Sequence, residues 1–355
     1  MTQEIWILGA NGRCGRAAAM DLAARRHSLV LVGRDAARLR ELTDAIGAAA
    51  RPVVADSVDR IAAELTRGAA TVVVNTIGPF TRTALPIARA CPAGCHYVDV
   101  SNELFAMIDV LGLHDEAVAA GRCLVTGAGF GVLATESVVL KLCEGRPPPA
   151  SVRVDALPFV DGAGELGATL AATIVEGLPL GGRRYENGML VRAKYGADPE
   201  RLVLPDGSTM VTGAMPTGDL EAARRASGAS LAIAASNMAP SSAIARTLMS
   251  AVAPLFASRA VRDFATRRIA QVSVTAPAQK RDSWAHARAQ WSDGCVRDGW
   301  LRAGEAMKFT NAVTAAVASL LACGEGRPGA YTPGAVFGPD LAVRAGGQFI
   351  IDRDL

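Results

Sequence analysis

Short apolar runs alternate with amphipathic stretches along the first part of the chain. "IWIL", "SLVLV", "RPVVA", "TVVVN", "HYVDV" and "CLVT" are brief and dominated by apolar residues, which predicts buried strands. Between them, helical spacing is read over residues 13–26, over "DAARLRELTDAIGAAA", around 58–67, after Pro79 and from about 103 to 120. Asp35 stands where it caps the second of these helices. Buried strands separated by helices predict a parallel sheet covered on both faces. The fold class is therefore α/β, with residues 1–128 forming a doubly wound domain.

The rhythm changes at Arg146-Pro147-Pro148-Pro149, where three prolines in succession cannot continue a helix and predict a linker or a domain crossing. Beyond it, "SVRVDALPFV", "GMLVRAKYG" and "RLVLPDGSTM" read as strands separated by turns. A long helical stretch is expected from roughly 219 to 268, which makes the second domain α+β.

Composition narrows the choice of partners. Half of the 355 residues are hydrophobic, enough for one large core or two linked ones. The net charge is +3, with basic residues interleaved among acids, which argues against nucleic acid as a partner. The most apolar long stretch, "LAIAASNMAPSSAIARTLMSAVAPLFA", is broken by Asn237, Pro240, Arg246 and Pro254, which argues against a membrane partner. The start, Met1-Thr2-Gln3-Glu4, lacks the basic region of a signal peptide. Seven scattered cysteines without a disulfide framework fit a cytoplasmic protein.

The chemistry concentrates in Gly9-Ala10-Asn11-Gly12-Arg13-Cys14-Gly15, which follows a strand and opens a helix. The first glycine permits a tight turn, and the later two let backbone N–H groups and the helix approach a pyrophosphate with no Cβ in the way. In that setting the motif predicts a dinucleotide site. The second strand ends in Val32-Gly33-Arg34-Asp35. Arg34 occupies the position that discriminates between cofactors, and flanked by Arg13 it suits the 2′-phosphate of NADP. The alternative leaves Arg34 in solvent and gives the ribose to Asp35. "NTIGPF" places Asn75, Thr76, Gly78, Pro79 and Phe80 at the carboxyl edge of the sheet, where nicotinamide cofactors lie, or else forms a plain strand-to-helix turn.

"ILGANGRCGR", "LVGRDAARL", "NTIGPF", "CHYVDVSNE", "GAGFGV" and the late "YTPGAVFGPDL" occur in the order found in the saccharopine dehydrogenase-like (saccharopine reductase-like) family. The chain resembles in particular its short bacterial members, related to trans-acting enoyl reductases. The resemblance implies an N-terminal Rossmann domain binding NADP over 1–128. It further implies an inserted α+β substrate and dimerisation domain over 129–305 and a C-terminal segment, 306–355, that returns to the first domain. A homodimer is expected. Cofactor contacts are carried onto Gly9, Asn11, Gly12, Gly15, Arg34, Asn75, Gly78 and Pro79, with Arg13, Cys14, Thr76 and Phe80 completing the same loops. "HYVDVSNE" is similar to the family's "HYxDxxGE" segment near the nicotinamide, but has Asn102 where that pattern has glycine.

A common ketone reductase protonates the forming alkoxide with a Tyr that has a Lys four residues later, and none of Tyr97, Tyr185, Tyr195 and Tyr331 has one. An iminium needs only a carboxylate to hold it, and a conjugated C=C needs its carbonyl polarised and a proton at the α-carbon. Tyr97, Asp99 and Glu103 are the catalytic candidates; Asp99 as a helix cap and Tyr97 as a core aromatic are the alternatives. "CPAGCH" departs from the haem-attachment spacing and has no second ligand pair for zinc, so no metal is expected. His27, His114 and His286 read as surface or capping residues. Glu165 or Thr169 faces substrate or belongs to a tight helix start; Met238, Met249, Leu255 and Phe256 form a substrate wall or core. Trp284, Trp291 and Trp300 read as packing or subunit contacts. The expected activity is NADPH-dependent reduction of a C=N (imine) or conjugated C=C (enoyl) bond of a small, fairly apolar metabolite, with specialised metabolism as its setting. The alternative is a non-enzymatic NADP(H)-binding redox sensor.

Overall fold

The computed structural model describes residues 3–160, 164–165, 175, 181–239, 256, 258–271, 273–274 and 282–351. The chain divides into two compact units. The first comprises 1–101, 105–129 and 307–337; the second comprises 102–104, 130–306 and 338–355.

In the first unit the strands β1 (Glu4–Leu8), β2 (Ser28–Gly33), β3 (Ala50–Val54), β4 (Ala70–Asn75), β5 (His96–Asp99) and β6 (Cys123–Val125) are connected by helices. The helices are α1 (Arg13–Ala24), α2 (Ala36–Ile46), α3 (Val58–Arg67), α4 (Phe80–Ala90), and α5 (Leu104–Leu111) with α6 (His114–Ala119). All neighbouring strands pair in parallel in the order β3-β2-β1-β4-β5-β6, with strand Gly329–Tyr331 added beside β6. This is the doubly wound sheet, and the step from β3 to β4 across β1 puts its switch point between β1 and β4. The apolar runs explain the layering: Ile5, Ile7, Leu8, Val30, Leu31 and Val72 to Val74 are all buried. Asp35 caps α2 by accepting from the N–H groups of Ala37 (3.0 Å) and Arg38 (3.1 Å). The helix read over 103–120 is in fact α5 and α6, separated at Gly112.

The second unit is built on a nine-stranded mixed sheet. Its strand β7 (Ser151–Leu157) pairs in parallel with Leu231–Ser236 and antiparallel with Ser283–Gln290, which continues into Val296–Ala303 and then Gln348–Ile351. Helix α7 (Phe130–Cys143) covers a face made of small residues. A Cβ on Gly299 would stand 3.1 Å from Leu142 and 3.2 Å from Val138, and Gly299 lies opposite Ala287 in the register. The single helical stretch expected over 219–268 is not one element. Helix Gly218–Ser227 ends at Gly228, which has φ 70°, and "LAIAAS" forms a strand before helix Arg259–Ala270. Alanine's helical preference is overridden because covering helices need a face without bulk. Met249, Leu255 and Thr169 lie outside the described residues, as does the side chain of Glu165, while Met238 is exposed. All seven cysteines are free thiols, and no helix among the described residues is long and apolar enough to cross a membrane.

On the other face of this sheet, His286 is fully buried rather than a surface or capping residue. Its Nδ1 meets Asp155 Oδ2 at 3.0 Å, its Nε2 meets Asp298 Oδ1 at 2.6 Å, and its ring lies 4.4 Å from that of Trp300. Arg153 pairs with both Asp155 (3.0 Å) and Glu200 (3.1 Å), and Arg288 joins Asp298 (2.7 Å) to Glu200. Burial alone would lower the His286 pKa, but the hydrogen bonds to two carboxylates outweigh it and hold the pKa above the ordinary 6.5. Burial likewise opposes ionisation of Asp155 and Asp298, yet their partners hold both below 3.8. His286 therefore contributes stability that is complete below its unfolded pKa and lost as pH rises through its raised folded value. The carboxylates contribute above theirs, and that is lost on acidification. His286→Ala is expected to destabilise the protein by roughly 3–5 kcal/mol, with the largest difference from wild type in thermal unfolding near pH 5–6 and a smaller one above pH 8. A difference that does not change with pH would show that His286 is uncharged in the fold.

Candidate functional site

The glycine loop joins β1 to α1 at the carboxyl edge of the first sheet. Gly9, with φ 78°, turns the chain there, and its N–H and that of Ala10 both donate to the Val32 carbonyl (2.9 and 3.0 Å). Gly12 closes the turn by donating to the Gly9 carbonyl at 2.8 Å. A Cβ on Gly15 would stand 2.3 Å from that same carbonyl oxygen, so only glycine lets α1 begin this close to β1. Unlike α2 and α3, which are capped by Asp35 and Ser57, α1 has no side-chain cap and no acid in its first turn. Its first N–H groups remain available to an anion, and the helix dipole favours one there. Asn11 donates through Nδ2 to the Asp35 carbonyl (3.1 Å), while its buried Oδ1 has no protein partner. Bare amides and a surface clear of side chains fit a dinucleotide pyrophosphate, and the Asn11 oxygen can accept from a hydroxyl of the same ligand. Arg13 and Arg34 are exposed at this edge, and Cys14 is a half-buried thiol whose pKa burial raises.

The ends of β4, β5 and β6 carry a second constellation. Each apolar run finishes on a polar residue: Asn75, Asp99, and Thr126 just beyond β6. The parallel register sets Asn75 beside Asp99. Asn75 donates through Nδ2 to the Tyr97 hydroxyl (3.1 Å), and that hydroxyl donates to Asp99 Oδ2 (2.9 Å). Asp99 also accepts from the Thr126 hydroxyl (2.9 and 3.0 Å) and from the N–H groups of Ser101 (3.0 Å) and Gly127 (2.9 Å). Asn75 Oδ1 accepts from the N–H of Ile77 (3.0 Å), which fixes the start of the Thr76–Phe80 loop. Thr76 secures the same loop through its hydroxyl to the Leu8 carbonyl (2.7 Å). Gly78 and Pro79 are half-buried, and Phe80 is buried as the first residue of α4. Tyr97 and Asp99 are thus brought together, but both are fully buried. Burial is the main cause that raises the pKa of each, far above 10 for Tyr97, so the phenol keeps its proton and spends it on Asp99. Thr126 belongs to this cluster and was not singled out from the sequence, although the polar residue ending "CLVT" marks it.

Glu103, the third candidate, is 9% exposed and forms an isolated antiparallel bridge with Thr217. Asn102 accepts the Gly218 N–H through its carbonyl (3.0 Å), and its side chain bonds Asp219. Asp219 is fully buried, which lifts its pKa to about 6, with the Thr217 hydroxyl (2.9 Å) and Asn102 opposing the rise. A Cβ on Gly131 would stand 2.7 Å from Asn102 Nδ2 and 2.8 Å from Asp219 Oδ1, so this polar pair occupies the space beside the first turn of α7. No feature of the sequence around Asp219 marks it.

The first unit is a Rossmann-type dinucleotide-binding domain. Its residues 5–125 match the family model described as the saccharopine dehydrogenase NADP binding domain. The chain thus carries a domain similar to that family's NADP-binding domain, and its cofactor is NADP. Over 146 residues it is 32% identical to the trans-acting enoyl reductase of Mycobacterium leprae, covering 39% of this chain and 35% of that protein. Over 134 residues it is 35% identical to the trans-acting enoyl reductase of Mycobacterium ulcerans, covering 36% and 32% respectively. The matched region thus spans about a third of each relative's length. Over its whole length the fold is similar to that of apo saccharopine dehydrogenase (L-Glu forming) from Saccharomyces cerevisiae. That match has a TM-score of 0.61 and 13% identity, and covers 99% of this chain and 100% of the other.

Gly15→Ala tests the fit of the loop. The added methyl has to displace backbone, so a loss of about 1–3 kcal/mol of stability and of NADP binding in calorimetry is expected. A variant that binds NADP as wild type does would show that the approach of α1 to Gly9 is not required.

Proposed function

We propose that this protein is an NADPH-dependent reductase of a C=N or conjugated C=C bond in a small, fairly apolar metabolite, acting as a homodimer in the cytoplasm. The observation that carries this reading is the commitment of the Tyr97 hydroxyl. It accepts from Asn75 and donates to Asp99, so the tyrosine at the carboxyl edge has no proton to give to the oxygen of a ketone. Electrophiles that need no strong acid at the reacting carbon suit such a site. The names of the relatives, trans-acting enoyl reductases, support the C=C form.

When bound, NADPH supplies the hydride. The chain's own groups hold it: the first N–H groups of α1, with Gly9, Asn11, Gly12, Cys14 and Gly15 around them, take the pyrophosphate. Arg34 with Arg13 takes the 2′-phosphate, and the loop of Asn75, Thr76, Gly78, Pro79 and Phe80 takes the nicotinamide half. Glu103 is the carboxylate assigned to the substrate, holding an iminium charge, whereas Tyr97 and Asp99 are buried in the sheet edge. Orientation and exclusion of water supply most of the acceleration.

Two measurements test this. Purified protein is expected to consume NADPH with an activated cyclic imine or an activated enone, and not with the matching saturated ketone; turnover of the ketone alone would overturn the reading. Arg34→Ala is expected to weaken NADPH binding by roughly tenfold or more, the value of a charge-assisted contact, with little effect on NADH. Equal weakening of both would remove Arg34 from 2′-phosphate recognition.

A further inference from the structure

Asp99 is a buried carboxylate that no cation among the described residues accompanies. The groups around it are neutral donors: the hydroxyls of Tyr97 and Thr126 and the N–H groups of Ser101 and Gly127. Among the described residues no Lys, Arg or His forms an ion pair with it, and its environment consists of burial and these hydrogen bonds. A protonated carboxyl would have to find an acceptor. The two N–H groups, both bound to Oδ1, have none to offer, so at Oδ2 such a proton would have to displace a hydrogen bond that the Tyr97 or Thr126 hydroxyl donates. Burial raises the Asp99 pKa and these donors oppose the rise; the ionised form accepts from all four groups at once, and among the described residues no compensating charge accompanies it.

The position of this charge is specific. Asp99 ends β5, beside Asn75 at the end of β4, on the far side of the switch point from β2 and Arg34. In a doubly wound sheet the dinucleotide lies across the carboxyl edge. With the adenine end over β2, the nicotinamide end falls to the β4–β6 half. The nicotinamide ring is neutral when reduced and cationic when oxidised. We infer that Asp99 is a fixed counter-charge for the oxidised ring, stabilising bound NADP+ relative to bound NADPH and so making the bound reduced coenzyme a stronger hydride donor than the free one. This rests on NADP being the cofactor.

Calorimetric titration of the full chain tests it with three ligands: NADP+, NADPH, and the benzamide analogue of NADP+, whose ring is aromatic and planar but uncharged. Wild type is expected to bind NADP+ on the order of tenfold more tightly than the benzamide analogue. Asp99→Asn is expected to remove most of that preference and to shift the ratio of NADPH to NADP+ dissociation constants by a similar factor. A role confined to tying the strand ends together would change all three affinities in common, and unchanged ratios would overturn the inference. Should Asp99→Asn not fold, the wild-type comparison decides alone, and equal affinity for NADP+ and its uncharged analogue would overturn it. Failure of wild type to bind any of the three would instead overturn the assignment of NADP.

Discussion

A carboxylate can be kept ionised away from water only if dipoles replace the water, and the carboxyl edge of the first sheet is organised around one such group. Asp99 gathers donors from its own strand end, from the turn after β5 and from the turn after β6, while Tyr97 links it to Asn75 at the end of β4. Transfer of an ion into a protein interior costs several kcal/mol even after relaxation. Hydrogen bonds to a charged group return about 1.5–3 kcal/mol each, so several are needed, and they can be assembled only where adjacent strands end together. The anion thereby fixes three loops relative to one another, and through Asn75 and Ile77 it reaches the turn before α4.

The other half of the same edge has the opposite polarity. The start of α1 lacks both a cap and an acid, and α1 can begin there because Gly15 closes on the Gly9 carbonyl. A helix N-terminus left open in this way is a positive end. Taken together, the edge presents unfilled N–H groups and exposed arginines on one side of the switch point and a buried anion on the other. A phosphorylated dinucleotide whose ring gains positive charge when oxidised is complementary to both.

Much of the first unit was legible in the sequence because its information is local. Buried parallel strands are short apolar runs, Asp35 precedes the helix it caps, and the glycine spacing lies within seven residues. The row of Asn75, Asp99 and Thr126 was visible as polar ends on apolar runs, yet its meaning depends on register, which no single run contains. The second unit was less legible for the same reason. "LAIAAS" has the composition of a helix and becomes a strand because a covering helix demands small side chains. "SWAHARAQ" shows the alternation of a strand with one alanine face. Of the two carboxylates that meet His286, Asp155 stands 131 residues earlier in the chain, and nothing near His286 announces it.

Buried charge has three different outcomes in this protein, and the difference lies in what surrounds it. Around His286 every charge meets an opposite one, from Arg153 and Asp155 through Asp298 to Arg288 and Glu200, so the cluster is closed electrostatically and its effect is on stability. Among the described residues Asp219 has no cation either, and its side chain meets the Thr217 hydroxyl and the Asn102 amide. With so few donors, burial lifts its pKa to about 6, so the group takes up a proton as the pH falls towards that value. Asp99 meets four donor groups that oppose the effect of burial, and no cation among the described residues cancels its charge. An anion held open in this way gives electrostatic preference to whatever cation arrives at the strand ends, and in a domain built for NADP the ring that loses a hydride is that cation.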